Sequence, residues 1–318
     1  MRFGVQCPQP IFAQDPQMHI RFFVFSYNRG EYLQNCIDSI RQCAPGHPIT
    51  VMDDQSSDPQ TRQVLERLSE HCQIWSPKGN EGQSKHGGLY NNMQAALEMA
   101  DGKGLICFLQ DDTQLVRAIS PEEITQINAY FENQAKAGFI QPAFIRGCNR
   151  ATDDAHTHYD AQTGMYFVDR KKRSVGTYYA DILITRPDRL KAVDWQFEQR
   201  EPANEQQAKR HFTPMAYLAN PFAAWLPNVP AYRGKVKTWA LRRAEVQTGA
   251  GFNPVGILSE AESDALARRD KALAPYAEDW LTPLNGEVAK PWIYYPLQGR
   301  RWLKRFNNLE VKLRKLLG

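Results

Sequence analysis

The strongest constraint on the fold is a short apolar run that ends in two adjacent carboxylates. Residues 105–109 are all apolar and predict a strand that is buried on both faces. Asp111 and Asp112 follow almost directly, at the end of a strand where open α/β sheets bind their ligands. Two neighbouring carboxylates repel each other unless a cation or hydrogen-bond donors lie between them. The pair therefore indicates a divalent cation that holds a phosphate, and the alternative is a polar turn or helix cap after the strand.

Three strand–helix units lead up to this run. Strands are predicted at residues 20–25, 49–52 and 73–76 from their β-branched and aromatic content. Apolar residues at helical spacing predict a helix after each strand, and Asp58 followed by Pro59 predicts where the second helix begins. Strands that alternate with helices across short connections favour a parallel arrangement. We therefore expect an α/β fold with a doubly wound, mostly parallel sheet and helices on both faces.

The segment after residue 113 has a more mixed pattern. It predicts, in order, a helix at 122–135, a strand at 139–144, a polar loop at 147–163, strands at 165–169 and 177–185, helices at 187–191 and 204–211, and a helix from the Ser259–Glu262 capping box to about residue 274. The strands at 165–169 and 177–185 are expected to form a hairpin. The aspartates and histidines of the polar loop allow two interpretations, a solvated loop or a metal site.

Composition limits the classes of protein to which the chain can belong. With 318 residues, of which 42% are hydrophobic and 23% charged, the chain can build a sizeable core. The six cysteines include no CxxC pair, a pattern typical of reduced thiols in the cytosol. No stretch approaches the ~20 consecutive apolar residues that span a bilayer. We therefore expect a cytoplasmic protein.

The positive charge is concentrated at the C-terminal end. Residues 300–318 carry seven lysines and arginines and a single glutamate, whereas the remainder is close to neutral, which argues against nucleic-acid binding by the whole protein. Apolar residues recur at helical spacing in the same segment: Trp302, Phe306, Leu309, Leu313 and Leu316 or Leu317. Such a helix suits an anionic membrane surface, with the protein peripheral at the inner face of the cytoplasmic membrane. The alternative is a helix that packs on the body of the protein or on a second subunit, as in a homodimer.

Four short motifs resemble those of one enzyme family. Each of them follows a predicted strand. They are Ser-Tyr-Asn-Arg at 26–29, Asp-Asp-Gln-Ser-Ser-Asp at 53–58, Asn-Glu-Gly at 80–82 and Gln-Asp-Asp at 110–112. In this order the motifs resemble family 2 glycosyltransferases with the GT-A fold, well over residues 19–118 and weakly to about residue 235. The resemblance implies transfer of a sugar from a nucleoside diphosphate donor, with inversion at the anomeric carbon.

The resemblance also implies a nucleotide site. Ser26, Tyr27 and Asn28 would line the nucleoside pocket, with the Tyr27 ring stacked on the base. Arg29 would complete this nucleotide-binding segment. Asp54 would accept a hydrogen bond from the imide N–H of uracil, which makes a UDP-sugar the favoured donor.

The metal, phosphate and base positions follow from the same resemblance. Asp112 would contact Mn²⁺ or Mg²⁺ on the diphosphate, and Asp111 would lie against the ribose or the same metal. Lys85 would supply a phosphate contact, because the arginine that the family often has in this loop is replaced near residue 87. Glu205 would be the general base that deprotonates the acceptor hydroxyl, and Asp181 is the rival for that role.

We therefore expect a glycosyltransferase whose acceptor is a surface glycan or a lipid-linked saccharide. The expected organisation is an irregular lead-in at 1–18, a catalytic domain at 19–235 with its nucleotide half at 19–118 and its acceptor half at 119–235, a helical extension at 236–290 and a basic amphipathic helix at 291–318. Two other classes stay open: a non-catalytic sugar-nucleotide-binding or scaffold protein, and a nucleotidyltransferase. The chain has no Gly-rich basic loop after its first strand, which counts against the nucleotidyltransferase.

Overall fold

The computed structural model describes residues 19–77, 88–102, 104–169, 175–231 and 237–317. Within these ranges nine strands form one sheet, in the spatial order β3-β2-β1-β4-β9-β6-β10-β8-β7. Its strands are β1 (Ile20–Ser26), β2 (Ile49–Asp53), β3 (Gln73–Trp75), β4 (Leu105–Gln110), β6 (Ile140–Gln141), β7 (Thr157–Asp160), β8 (Met165–Val168), β9 (Leu183–Thr185) and β10 (Ala216–Leu218). Two further strands, β5 (Thr113–Leu115) and β11 (Ala223–Trp225), pair antiparallel as a separate ribbon.

The first four strands of the sheet run parallel, as the sequence predicts. β1 lies between β2 and β4, and its register aligns Ser26 with Asp53 and Phe25 with Gln110. The chain passes from β1 outward to β2 and β3 and then returns to the other side of β1 as β4. That reversal is a topological switch point, where the loops at the carboxyl ends of β1 and β4 diverge and leave a crevice.

The structure has eleven α-helices in the described ranges. They are α1 (Gly30–Cys43), α2 (Pro59–Leu68), α3 (Leu89–Met99), α4 (Pro121–Asn133), α5 (Arg150–Asp154), α6 (Pro187–Lys191), α7 (Glu201–His211), α8 (Trp239–Thr248), α9 (Glu260–Arg268), α10 (Ala277–Trp280) and α11 (Arg301–Leu317). Of these, α1, α2, α3, α4, α6 and α7 cover the two faces of the sheet and create two apolar cores. Alternate residues of β1 point to opposite faces: Phe22 and Val24 join the core with α1, α2 and α4, whereas Phe23 and Phe25 join the core with α3, α6 and α7. The doubly wound α/β fold is confirmed.

Local signals place the starts of two helices correctly. The Asp58 side chain accepts from the Thr61 backbone N–H, with Pro59 at the first helical position of α2. Ser259 and Glu262 form the predicted capping box at the start of α9. That helix ends at Arg268, however, and not near residue 274, because residues 269–273 turn back to contact the body through Arg269.

The structure corrects three expectations about the second half of the chain. The segment 147–163, expected to be a polar loop, contains α5 and β7. The expected hairpin between 165–169 and 177–185 is absent from the described residues, because β8 pairs with β7 and β10, and β9 pairs with β4 and β6. Of the segment 177–185 only Leu183–Thr185 is a strand.

The C-terminal third packs onto the ribbon and the sheet. Val255, Leu266 and Trp292 share a buried cluster with Val116 and Ala224. Helix α11 lies against α8. No helix in the described ranges is both long enough and apolar enough to cross a membrane. The five cysteines in these ranges are free thiols.

Candidate functional site

The carboxyl ends of β1, β2 and β4 bring the predicted nucleotide-site residues together. Tyr27 follows β1, Asp54 follows β2, and Asp111 and Asp112 form the turn between β4 and β5. The Asp54 backbone N–H donates to the Ser26 carbonyl oxygen, and the Asp111 backbone N–H donates to the Phe25 carbonyl oxygen. These two hydrogen bonds extend the sheet by one residue on each side of β1, so both acidic loops are fixed against the same strand end.

Arg29 holds the two carboxylates of the turn. Its Nη1 lies 3.3 Å from Asp111 Oδ1 and 2.8 Å from Asp112 Oδ2, and its Nη2 donates to the Pro230 carbonyl oxygen at 3.0 Å. Burial acts to lower the pKa of Arg29, but the charges of Asp111 and then Asp112 outweigh it and leave the pKa above its ordinary value. The guanidinium also lies 5.2 Å from the Tyr32 ring centroid. The mutual repulsion of the two aspartates is therefore offset by Arg29, which precedes Asp112 by 83 positions in the chain.

Two buried oxygens at this edge have no hydrogen-bond partner among the described residues. They are Asp112 Oδ1 and Ser26 Oγ. A buried carboxylate oxygen without a donor is costly unless a cation or a bound ligand satisfies it. A hard divalent cation with phosphate oxygens needs only one or two protein carboxylates, so Asp111 and Asp112 fit such an ion. The described residues contain no group of three or more metal-ligating side chains, so phosphate and water would complete the coordination.

Asp54 is positioned by a glycine that sequence reasoning did not single out. The Gly88 backbone N–H, at the start of α3, donates to Asp54 Oδ2 at 2.6 Å. A Cβ atom at position 88 would lie 2.0 Å from Asp54 Oδ1, so only glycine allows this approach. The signal in the sequence was a glycine at the start of a predicted helix, which by itself is too common to mark a site.

Asn28 and Asp53 fix the shape of the loops around the crevice. Asn28 Oδ1 accepts from the backbone N–H groups of Ser57 and Asp58 at 2.7 and 2.8 Å, which ties the β1 loop to the β2 loop. The buried Asp53 carboxylate accepts from both the backbone and the hydroxyl of Ser56. Asn28 and Gln55 have φ values of 50° and 57°, in the left-handed region that side chains other than glycine seldom adopt. These contacts show strained loops that side-chain hydrogen bonds hold in place.

Glu205 lies in a different environment, on α7. Its carboxylate accepts from the backbone N–H of Tyr178 at 3.0 and 3.1 Å and from that of Tyr179 at 2.9 Å. Burial raises the pKa of Glu205, and these hydrogen bonds work in the opposite direction. Glu205 thus anchors the segment that leads from residue 176 into β9.

Asp181 belongs to an acidic pair that the sequence did not reveal. Its Oδ2 accepts from the Tyr90 hydroxyl at 3.2 Å, and its backbone N–H donates to the Glu201 carboxylate. Burial and then the charge of Asp181 raise the pKa of Glu201 to about 8, and Arg146 opposes that shift. Glu201 was missed because helix α7 was predicted to begin near residue 204, three residues after its observed start.

Arg146 connects this acidic pair to the ribbon beside Asp112. Its guanidinium stacks 3.8 Å from the Trp225 ring centroid and 5.1 Å from that of Tyr294. Trp225 pairs with Thr113, the residue after Asp112, and the next backbone N–H, that of Leu226, donates to the Asp112 carbonyl oxygen. The Asp181–Glu201 pair and the Asp111–Asp112 turn are therefore linked through Arg146 and Trp225.

The predicted site residues thus divide into two groups. The structure gathers Ser26, Tyr27, Asn28, Arg29, Asp54, Asp111 and Asp112 at the switch point. Asp181 lies just before β9, the middle strand of the sheet, and Glu205 lies on α7. Lys85 and the motif at 80–82 lie outside the described residues, as do the lead-in at 1–18 and residues 171–173.

The fold and this edge define the class: a doubly wound α/β protein whose sheet carries, at its switch point, two carboxylates held by an arginine. A family model described as "Glycosyl transferase family 2" matches residues 22–187, just over half of the chain. The chain belongs to that family and is a glycosyltransferase. Family membership implies a nucleotide-sugar donor and an acceptor. No curated protein sequence matches the chain.

Three solved structures are similar to the chain at low sequence identity. TarS from S. aureus, residues 1–349, is 15% identical with a TM-score of 0.46, over 78% of this chain and 69% of that one. A second TarS structure is also 15% identical, with a TM-score of 0.48, and there the match spans 42% of the TarS chain. The mannosyltransferase PcManGT from Pyrobaculum calidifontis, in complex with GDP-Man and Mn²⁺, is 14% identical with a TM-score of 0.41, over 94% of this chain and 74% of that one.

Proposed function

We propose that this glycosyltransferase moves a sugar from a UDP-sugar to an acceptor hydroxyl on a surface glycan or lipid-linked saccharide, with inversion. The observation that carries the proposal is the arrangement at the switch point, where Arg29 holds Asp111 and Asp112 next to the Asp54–Gly88 contact. A crevice at that place in an α/β sheet is where a nucleotide binds.

The nucleoside would bind between the β1 and β2 loops. Tyr27 offers a planar ring for stacking on the base. Asp54, held by the Gly88 N–H, supplies a carboxylate that accepts from the uracil imide N–H. Lys85, in the adjoining loop, would contact a phosphate. The hydrogen bonds of Asn28 to the β2 loop keep the two loops at a fixed separation.

Asp112 and Asp111 would hold a Mn²⁺ or Mg²⁺ ion. When bound, such an ion neutralises charge on the departing nucleoside diphosphate. The chain's own contribution is to orient both carboxylates through Arg29 and to leave Asp112 Oδ1 without a hydrogen-bond donor among the described residues. Both features suit a site in which a cation and a diphosphate arrive together.

Inversion requires a single displacement with a general base. The acceptor oxygen attacks the anomeric carbon, the bond from that carbon to the diphosphate breaks, and the hydroxyl proton passes to the base. We propose the Asp181–Glu201 pair for that role: Glu201, whose pKa is raised to about 8 by burial and then by Asp181, keeps its proton at neutral pH, so Asp181 is the member that accepts the proton of the acceptor hydroxyl. Glu205 is the second candidate, and its contacts with the 178–179 backbone also fit a residue that positions the segment before Asp181.

Calorimetric titration tests the donor site. UDP, GDP and dTDP are titrated with and without Mn²⁺ on wild type, on Asp112→Asn and on Asp264→Asn, whose carboxylate is exposed on α9. We expect metal-dependent binding of UDP that Asp112→Asn weakens by at least about tenfold and Asp264→Asn leaves unchanged. Absence of nucleotide binding under every condition would refute the donor site.

Transfer assays then test the base. Glu201→Gln, Asp181→Asn and Glu205→Gln are compared with wild type for release of UDP and for the anomeric configuration of the product by NMR. Loss of about 10²–10⁴-fold in kcat with unchanged UDP affinity identifies the base. UDP binding without transfer to any acceptor, in a library of glycans and lipid-linked saccharides, would instead support a sugar-nucleotide-binding or scaffold protein.

A further inference from the structure

Helix α11 presents a continuous apolar face to solvent. Its members lie at helical spacing over the 15 residues from 302 to 316, and their exposed fractions run from 48% to 81%: Trp302, Phe306, Leu309, Leu313 and Leu316. With a rise of about 1.5 Å per residue the face is about 21 Å long. Large apolar side chains seldom gather on the surface of a soluble protein without an interaction to make.

A different side of α11 attaches the helix to the body. Leu303 packs against the cluster of Leu241, Ala244 and Leu297. Asn307 Oδ1 accepts from the Thr238 hydroxyl at 2.7 Å, and Glu310 Oε2 accepts from the Trp239 backbone N–H at 2.8 Å. At 100° per residue, positions 303, 307 and 310 lie about a quarter-turn away from the centre of the apolar face. The apolar face is therefore not needed to hold the helix on α8.

Basic residues border the apolar face on the side opposite α8. Arg301, Arg305 and Lys312 follow one another along that border, and all three are exposed. Lys304 lies further round, also exposed, and Arg314 is paired with Glu310 at 2.5 Å. An apolar stripe with a cationic border is the arrangement that lets a helix lie in a lipid interface, apolar side chains among the acyl chains and cations among the phosphates.

We propose that α11 binds the surface of an anionic membrane. Charge selects this occupant over a second copy of the chain, because two cationic helices that met face to face would repel each other, whereas phosphate head groups complement them. Trp302, at the first turn of the helix, suits the boundary between head groups and acyl chains. The proposal places the enzyme at the membrane independently of the identity of its donor.

Vesicle co-sedimentation of the full chain tests the proposal. The probes are phosphatidylcholine vesicles with and without phosphatidylglycerol. We expect binding to the anionic vesicles and little to the neutral ones. Trp302→Ser with Phe306→Ser should weaken binding at least about tenfold through lost apolar burial. Arg305→Gln with Lys312→Gln should weaken it about 30-fold, at about 1 kcal/mol for each cation, and only on anionic vesicles.

Matched variants control for the general effects of these changes. Leu273→Ser with Leu284→Ser removes two exposed apolar side chains elsewhere, and Arg67→Gln with Arg268→Gln removes two exposed cations elsewhere. Both should bind vesicles like wild type, and all variants should keep the wild-type circular dichroism spectrum. Equal binding to neutral and anionic vesicles, or equal losses in the control variants, would overturn the proposal. Concentration-dependent dimerisation in light scattering that Trp302→Ser with Phe306→Ser abolishes, without vesicle binding, would do the same and assign the face to a second copy.

Discussion

Replacing Arg29 by methionine should destabilise the protein through the two carboxylates that it holds. Asp111 and Asp112 have side chains that are only 9% and 16% exposed, and Arg29 contacts both at 3.3 and 2.8 Å. Methionine keeps much of the apolar volume but removes the charge and the hydrogen bond to the Pro230 carbonyl oxygen. The variant therefore leaves two adjacent, mostly buried anions without their cation.

The size of the effect follows from the two lost ion pairs. Removal of one partner of a buried ion pair costs about 3–5 kcal/mol, since the remaining charge is poorly solvated. At an unfolding entropy of about 2.1 cal/mol/K per residue, a change of 1 kcal/mol shifts the Tm of a 318-residue chain by about 1.5 °C, so the expected loss is about 4–8 °C. A divalent cation bound by Asp111 and Asp112 can supply part of the positive charge that the guanidinium provides. Mn²⁺ should therefore raise the Tm of Arg29→Met by more than it raises that of wild type.

Thermal and urea unfolding at neutral pH, with and without Mn²⁺, measure both effects. Arg268→Met is the matched control, because Arg268 pairs with Asp264 at 3.3 Å but the two side chains are 77% and 61% exposed. An exposed pair contributes less than about 1 kcal/mol, so this variant should stay close to wild type. The stability of Arg29→Lys should lie between those of Arg29→Met and wild type, since lysine keeps the positive charge but lacks the planar guanidinium that contacts both carboxylates.

Two outcomes would refute the reasoning. If Arg29→Met loses no more stability than Arg268→Met, the carboxylates are solvated well enough without a partner. If Mn²⁺ stabilises wild type and Arg29→Met equally, the cation does not bind between Asp111 and Asp112.

Two more predictions follow from the crevice and the acidic pair. Gly88→Ala places a methyl group 2.0 Å from Asp54 Oδ1, so the carboxylate must move. Calorimetry should then record about a tenfold or greater loss of UDP affinity. Unchanged affinity would show that Asp54 does not contact the nucleotide. Because burial and then Asp181 raise the pKa of Glu201 from 4.5 to about 8, the folded state retains a proton that the unfolded chain has lost. The stabilisation is complete below pH 4.5 and disappears as pH rises through about 8. Urea unfolding should therefore show the free energy of unfolding falling across that pH window, and falling less steeply for Glu201→Gln. If the variant and wild type show the same pH dependence, the pair does not share a proton.

Features that depend on neighbours in the chain were predictable. The Asp58 cap on α2 and the Ser259–Glu262 capping box on α9 each need residues only three positions apart, so the sequence pattern alone located them. The ends of β1, β2 and β4 were predictable for a similar reason, since a run of apolar residues that stops at a polar one marks where burial stops.

Features that depend on distant partners were not predictable. Residues 177–182 have the composition of a strand, yet the Glu205 carboxylate takes the backbone N–H groups of Tyr178 and Tyr179, which are then unable to join a ladder. The acidic pair of Asp181 and Glu201 was hidden for the same reason, because its members are brought together by the approach to β9 and the first turn of α7. Local propensity is weak evidence where a side chain from another element supplies the hydrogen bonds.

The sequence by itself determined the α/β class, the order of the strands and helices from β1 to β4, and the set of side chains at the ends of β1, β2 and β4. Periodicity, caps and apolar runs are local signals in the sequence. Because parallel strands bring their carboxyl ends to one edge of a sheet, these local signals also predict which side chains lie together at that edge. Only the tertiary structure decided that Arg29 lies between Asp111 and Asp112, that Gly88 must be a glycine to seat Asp54, and that α11 turns its apolar face away from the body. Each of these depends on a contact between elements that are far apart in the chain, and its energy comes from the burial of charge or apolar surface that the folded arrangement alone creates.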